Sequence, residues 1–116
     1  MSDISIYHNP RCSKSRQTLA LLEENDVQAK VVEYLKTPPT AEELTIILKQ
    51  LGFSARQLLR KGESAYKELQ LKDESLTEAQ LIQAMIENPK LIERPIVIHN
   101  GKAKIGRPPE SVLELL

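Results

Sequence analysis

The chain has 116 residues, and its sixteen basic and sixteen acidic side chains cancel to a formal net charge of zero. That length suits one domain able to bury a sufficient core, and the cancelled charge leaves no net field toward nucleic acid or an anionic membrane. One cysteine rules out an internal disulfide, no apolar run approaches the ~18 residues of a membrane span, and no Trp with one Phe leaves no base-stacking platform.

The opening "MSDISIYHNP" lacks a charged segment followed by an apolar one, so no signal peptide is expected and a reducing cytoplasm is the expected location. Ile4 to His8 alternates apolar and polar residues and reads as a strand that Asn9 and Pro10 break. A helix is expected from about Cys12 to Asn25, with Thr18, Leu19, Leu21 and Leu22 at helical spacing. Ala29 to Leu35 reads as a second strand, and strand–helix–strand order favours a parallel pair with a right-handed crossover.

A run of helices follows. Thr40 and Glu43 form a capping box for a helix lined by Leu44, Ile47, Leu48 and Leu51 and closed by Gly52. Short helical pieces are expected at Ala55 to Leu59 and Ser64 to Leu69, then a longer helix from the N-cap Thr77 to Asn88. Ile96 to His99 and Lys102 to Ile105 read as a hairpin about the type I′ signal Asn100–Gly101. "PPESVLELL" reads as a short terminal helix. The order β-α-β, helices, β-β-α predicts an α/β fold of thioredoxin-like type. It has a four-stranded mixed sheet flanked by helices, a core of about 1–36 and 92–116, and an all-helical insertion of about 40–90 within a single domain of 1–116.

Cys12 falls where a strand ends and a helix begins. The first N–H groups of a helix have no intrahelical partner and carry partial positive charge, which favours a thiolate there. His8, if protonated, and Arg11, Lys14 and Arg16 add nearby positive charge, and the Ser15 hydroxyl is placed to donate to the sulfur. The site reads C-x-x-S, so a resolving thiol must come from outside, for instance glutathione or a partner protein. Arg60, Arg94 and Arg107 stand at element ends and loops. In a thioredoxin-like fold Arg94 points at Cys12, and guanidinium groups suit a tetrahedral oxyanion. Pro95 is a candidate for a cis peptide. Two dispersed histidines and one cysteine make no metal site. No phosphate loop or dinucleotide fingerprint is present, so no bound cofactor is expected.

"IYHNPRCSKSR" resembles the H-N-P-x-C-x-x-S-R motif of the glutaredoxin-linked arsenate reductases, the ArsC family. The likeness continues through "EYLKTPPTAEEL", "LLRKGESAYKEL", "NPKLIERPIVI" and "GRPPESVLELL". The resemblance implies Cys12 as nucleophile, Arg60, Arg94 and Arg107 as oxyanion holders, and His8 and Ser15 as groups that help keep the thiolate. It implies arsenate or a similar oxyanion as substrate, glutathione as co-substrate and glutaredoxin as partner, in a monomer. Arg11, Ser13 and Lys14 stand where arsenic-operon members carry small residues, and the chain stops at Leu116 where those continue. Both departures point toward a housekeeping paralogue. Two other readings remain: a glutathione-dependent monothiol oxidoreductase of another substrate, and an Spx-like regulator that binds RNA polymerase.

Overall fold

The computed structural model describes residues 4–116. Two compact units make up the chain, one from the segment ending at Thr37 together with Arg94–Leu116, the other from Pro38–Glu93.

The first unit is built on a sheet of order β2-β1-β3-β4. Strand β1 (Ile4–Tyr7) pairs parallel with β2 (Lys30–Val32) and antiparallel with β3 (Ile96–His99), which pairs antiparallel with β4 (Lys102–Ile105). Alternation in β1 puts Ile4 and Ile6 into the core. They join Leu22, Val97 and Val112, with Leu19, Val27, Ala29 and Leu115 packed at the margin. The expected mixed sheet is the observed one. The hairpin turn carries positive φ at both Asn100 (50°) and Gly101 (76°), as a type I′ turn requires.

Helix α1 (Ser13–Glu24) crosses between the parallel strands, with Cys12 as N-cap. Its buried face is Ser15, Thr18 and Leu22 rather than the leucine stripe alone, so two of the three inward positions are polar. β2 is shorter than the Ala29 to Leu35 span read from its β-rich composition. The Glu33 carbonyl takes the N–H groups of Lys36 and Thr37, both at 3.0 Å, which turns the chain. Peptide bonds Arg94–Pro95 and Arg107–Pro108 are both cis.

The terminal segment Pro109–Leu115 is 3₁₀, not α. Its inward residues Pro109, Val112 and Leu115 recur every three positions, and only three residues per turn lines them up on one face. That face packs against α1, β3 and β4.

The second unit is helical: α2 (Ala41–Leu51), α3 (Ala55–Leu58), α4 (Ser64–Glu68), α5 (Glu78–Glu87) and a 3₁₀ turn at Pro89–Leu91. Reciprocal capping boxes open three of these helices, at Thr40, Ser54 and Thr77, and Gly52 closes α2 in the left-handed conformation. α5 packs against α2, α3 and the 3₁₀ turn through Leu81, Ile82, Ala84 and Met85. Arg56 ties down the following loop by donating to the carbonyls of Leu71 (2.8 Å) and Asp73 (2.9 Å).

Leu22, fully buried, joins α1 to the sheet core. Leu22→Ala is expected to destabilise the protein by about 2–5 kcal/mol, read as a lower urea midpoint at unchanged slope.

Candidate active site

The junction between β1 and α1 is built from backbone bonds. The His8 N–H donates to Val32 O (2.8 Å) and so extends the parallel pairing one residue past β1. Asn9 then turns the chain: its side-chain oxygen accepts the Arg11 N–H (3.0 Å) and its carbonyl accepts the Cys12 N–H (3.0 Å). The Cys12 carbonyl accepts from the Arg16 N–H (3.0 Å), the first turn of α1. Arg16 Nη1 reaches back to Pro10 O (3.0 Å) and braces the loop.

Beneath the loop lies a polar pair. Ser15 Oγ and His8 Nδ1 are 2.7 Å apart, and the Asn9 N–H donates to the same oxygen at 3.0 Å. Ser15 is fully buried and His8 6% exposed. Burial lowers the His8 pKa from its ordinary value, against the raising pull of Glu33 and with further lowering from Arg16. Burial thus favours the neutral ring over the charged one beside the sulfur. The Ser15 hydroxyl is engaged with the imidazole, at 2.7 Å from Nδ1, and with the Asn9 N–H. Ser15 meets the sulfur through its backbone N–H.

Cys12 is half-buried. Burial pushes its thiol up. The N–H of Ser15, the Arg94 guanidinium by hydrogen bond and by charge, and the N–H of Lys14 pull it down, and the net pKa lies below the ordinary thiol value. The sulfur makes no cap hydrogen bond of strict geometry; the two amides act on it as oriented dipoles at the helix start. The charge comes from Arg94, far away in sequence, rather than from the flanking Arg11, Lys14 and Arg16, all exposed to solvent.

Arg107 closes the site. Its Nη2 lies 3.6 Å from Cys12 Sγ, and its Nε donates to the Arg94 carbonyl at 2.8 Å. Arg94 is partly buried and Arg107 exposed, so water screens the Arg107 charge more strongly, and Arg94 is the guanidinium that lowers the thiol pKa, after the larger effects of burial and of the Ser15 N–H. The first unit thus brings together His8, Cys12, Ser15, Arg94 and Arg107.

Arg60 belongs to the second unit. Its N–H donates to Leu91 O (2.8 Å), next to a bridge between Leu59 and Ile92. Its guanidinium pairs with Glu93 (3.1 Å) and Glu63 (3.5 Å). Sequence reasoning treated Asn9 only as a strand breaker. The Asn-Pro pair was the available signal for its side-chain turn. The second unit also holds a cavity of about 750 Å³ lined by Lys61, Tyr66, Lys67, Gln70, Lys72 and Asp73, none of them a thiol. Among the described residues no group of three His, Cys, Asp or Glu side chains is placed to hold a metal ion, and no helix is long and apolar enough to cross a membrane.

The ArsC family profile matches residues 7–115. The chain is 50% identical over 117 residues to an arsenate reductase of Neisseria meningitidis serogroup B, covering all of both chains. It is 63% identical over 114 residues to the uncharacterised protein YfgD of Escherichia coli K12, covering 97% of this chain and 96% of that one. Its fold matches the solved arsenate reductase from Vibrio cholerae with a TM-score of 0.97 at 53% identity, over 99% of this chain and 98% of that one.

The rate of Cys12 alkylation against pH is expected to titrate below a free cysteine, and Arg94→Ala is expected to move the midpoint up. The lowered thiol pKa also fixes a sign for stability. Between the folded and unfolded values the unfolded chain holds more protons, so this contribution is lost as pH falls through the folded value and is complete above the unfolded one. Urea titrations across that window are expected to give a smaller rise with pH in Cys12→Ser.

Proposed function

The chain belongs to the ArsC family, and from that premise we propose that it reduces arsenate to arsenite, with glutathione as reductant and glutaredoxin as the resolving thiol. The carrying observation is Cys12 at the start of α1, its thiol drawn below its ordinary pKa, with Arg94 and Arg107 both on the sulfur. A thiolate is the nucleophile, and guanidinium groups beside it are the receptors an incoming oxyanion needs. Relatives named arsenate reductase at 50% identity support arsenate as that oxyanion.

In the proposed cycle the Cys12 thiolate attacks arsenic, and the bond to an As–OH oxygen breaks, the hydroxide taking a proton from solvent and leaving as water. Arg94 and Arg107 hold the remaining oxygens and offset the charge that gathers on them. Arg60 is assigned as a third holder on its motif match, exchanging its glutamate partners for the substrate. A glutathione thiolate then attacks Cys12 Sγ. The S–As bond breaks, its electron pair stays on arsenic, and As(V) leaves as As(III) in arsenite. Cys12 is left as a mixed disulfide with glutathione, which a glutaredoxin thiolate cleaves to restore the free thiolate. His8 and Ser15 keep the Ser15 N–H aimed at the sulfur throughout. The scheme calls for no resident cofactor and for one copy of the chain, and its reductants place it in the cytoplasm.

One observation favours a second reading. Cys12 is partly open to solvent and is the sole cysteine, the arrangement of a monothiol that forms and resolves glutathione mixed disulfides on other substrates. The arginines separate the two, since a disulfide carries no oxyanion for them to hold.

NADPH oxidation in the presence of arsenate, glutathione, glutaredoxin and glutathione reductase is expected to depend on arsenate and to vanish in Cys12→Ser. Arg60→Ala, Arg94→Ala and Arg107→Ala should each lower it by roughly 10²–10³-fold. An inactive wild type whose Cys12 still resolves a glutathionylated peptide, undiminished in Arg60→Ala and Arg107→Ala, overturns the reading in favour of the second.

A further inference from the structure

Gly106 lies between the end of β4 and Arg107. Its N–H donates to the Pro95 carbonyl at 2.9 Å, which closes the two strands at the end that carries both arginines. A Cβ placed on Gly106 would collide with Thr18 Oγ1 and would stand 2.8 Å from Pro95 Cγ and 3.1 Å from Thr18 Cγ2. Gly106 lies outside the left-handed region, unlike Gly52 and Gly101, so its need for glycine is one of space and not of conformation.

The opposing surface is fixed. Thr18 is fully buried, and its hydroxyl donates to the Lys14 carbonyl at 2.8 Å, so it moves aside only by giving up that bond. Lys14 is in turn one of the residues whose N–H acts on the sulfur. The other flank is Pro95, directly after Arg94. Gly106 therefore touches the helix that carries Cys12 on one side and the Arg94–Pro95 step on the other, and Arg107 follows it in the chain. Arg107 and Arg94 are further locked by the Nε-to-carbonyl bond of 2.8 Å.

We propose that Gly106 is a positioning residue for the arginine pair: having no side chain, it lets the ends of β3 and β4 close on Thr18 of α1, and that approach sets how near Arg94 and Arg107 come to Cys12 Sγ. A single methyl group at 106 opens the contact and moves both guanidinium groups off the sulfur together. The proposal rests on the reductase reading only for the identity of the anion held; the contact and its effect on Cys12 stand apart from it.

The test is a double-mutant cycle of Gly106→Ala and Thr18→Ala, with Arg94→Ala and Arg107→Ala as references. The readouts are Cys12 alkylation by iodoacetamide against pH and thermal unfolding. Gly106→Ala is expected to raise the apparent pKa of Cys12 and slow alkylation at neutral pH by roughly 3–10-fold, as loss of a nearby cation does. Adding Thr18→Ala, which clears two of the three close approaches, should recover at least half of that loss after correction for Thr18→Ala alone. In an Arg94→Ala, Arg107→Ala background, Gly106→Ala should leave the profile unmoved. A Gly106→Ala protein with a lower melting temperature and the wild-type profile overturns the proposal, as does a shift that adds in full to those of the arginine variants. If Gly106→Ala does not fold, the double variant decides. A wild-type profile there supports positioning; a profile like Arg94→Ala, or failure to fold, overturns it. Wild-type protein inactive on arsenate but showing these profile changes would sink the substrate assignment and leave this one standing.

Discussion

Backbone N–H groups that a helix does not use for itself are the constraint around which this molecule is arranged. At the start of α1 those groups meet a sulfur, and the junction that brings them there leaves little freedom. His8 is held by Val32, Cys12 by Asn9, and the Ser15 side chain by His8 and Asn9 at once. Ser15 thus divides its labour: the hydroxyl fastens the turn to the strand, and the amide beside it faces the thiol. A buried hydroxyl with two partners is costly to disturb, because removing it strands both of them. Rigidity under the loop is what allows a half-exposed cysteine to keep a defined electrostatic setting.

Cations near the sulfur are not equivalent. Several sit within four residues of Cys12 in sequence, yet they project into water or clasp the loop. The ones that reach it are far away in sequence, at the mouth of the β3–β4 hairpin. Exposed charges interact weakly across water, whereas a partly buried guanidinium acts through a poorer dielectric. The order of strands explains how this works. β1 and β3 are neighbours, so the end of the strand that leads into Cys12 lies beside the start of the strand that Arg94 leads into, with Tyr7 opposite Ile96.

How much of this was readable from sequence can be traced residue by residue. Capping boxes at Thr40 and Thr77, the left-handed Gly52 and the Asn100–Gly101 turn are local signals, and local chemistry fixed them in place. β2 ends earlier than composition suggests: Tyr34 and Leu35 have strand character, while a turn at the Glu33 carbonyl decides the backbone. The terminal 3₁₀ segment follows from which of its residues meet α1 and the sheet, which is a tertiary fact. At the site, the placement of Cys12 at the start of α1 and of Arg94 beside it was legible from fold order. The lowered pKa of His8 was not, since it depends on burial. Nor was the close approach at Gly106, since "GRPP" looks like a turn until Thr18 is seen against it.

The lone cysteine has a further consequence, for the lifetime of the protein in an oxidising episode. The ionised form, the nucleophilic one, is also the form that peroxide converts to sulfenic acid. Proteins with a second thiol nearby trap that state as an internal disulfide. This chain has no second cysteine, so no internal disulfide arrests the passage to the irreversible sulfinic acid. A thiol from solution does so instead, and the partial exposure of Cys12 gives that thiol access. The survival of the site is thereby tied to the redox state of its surroundings: a pool of small thiols shields the sulfur, and its depletion leaves the protein to be inactivated one molecule at a time.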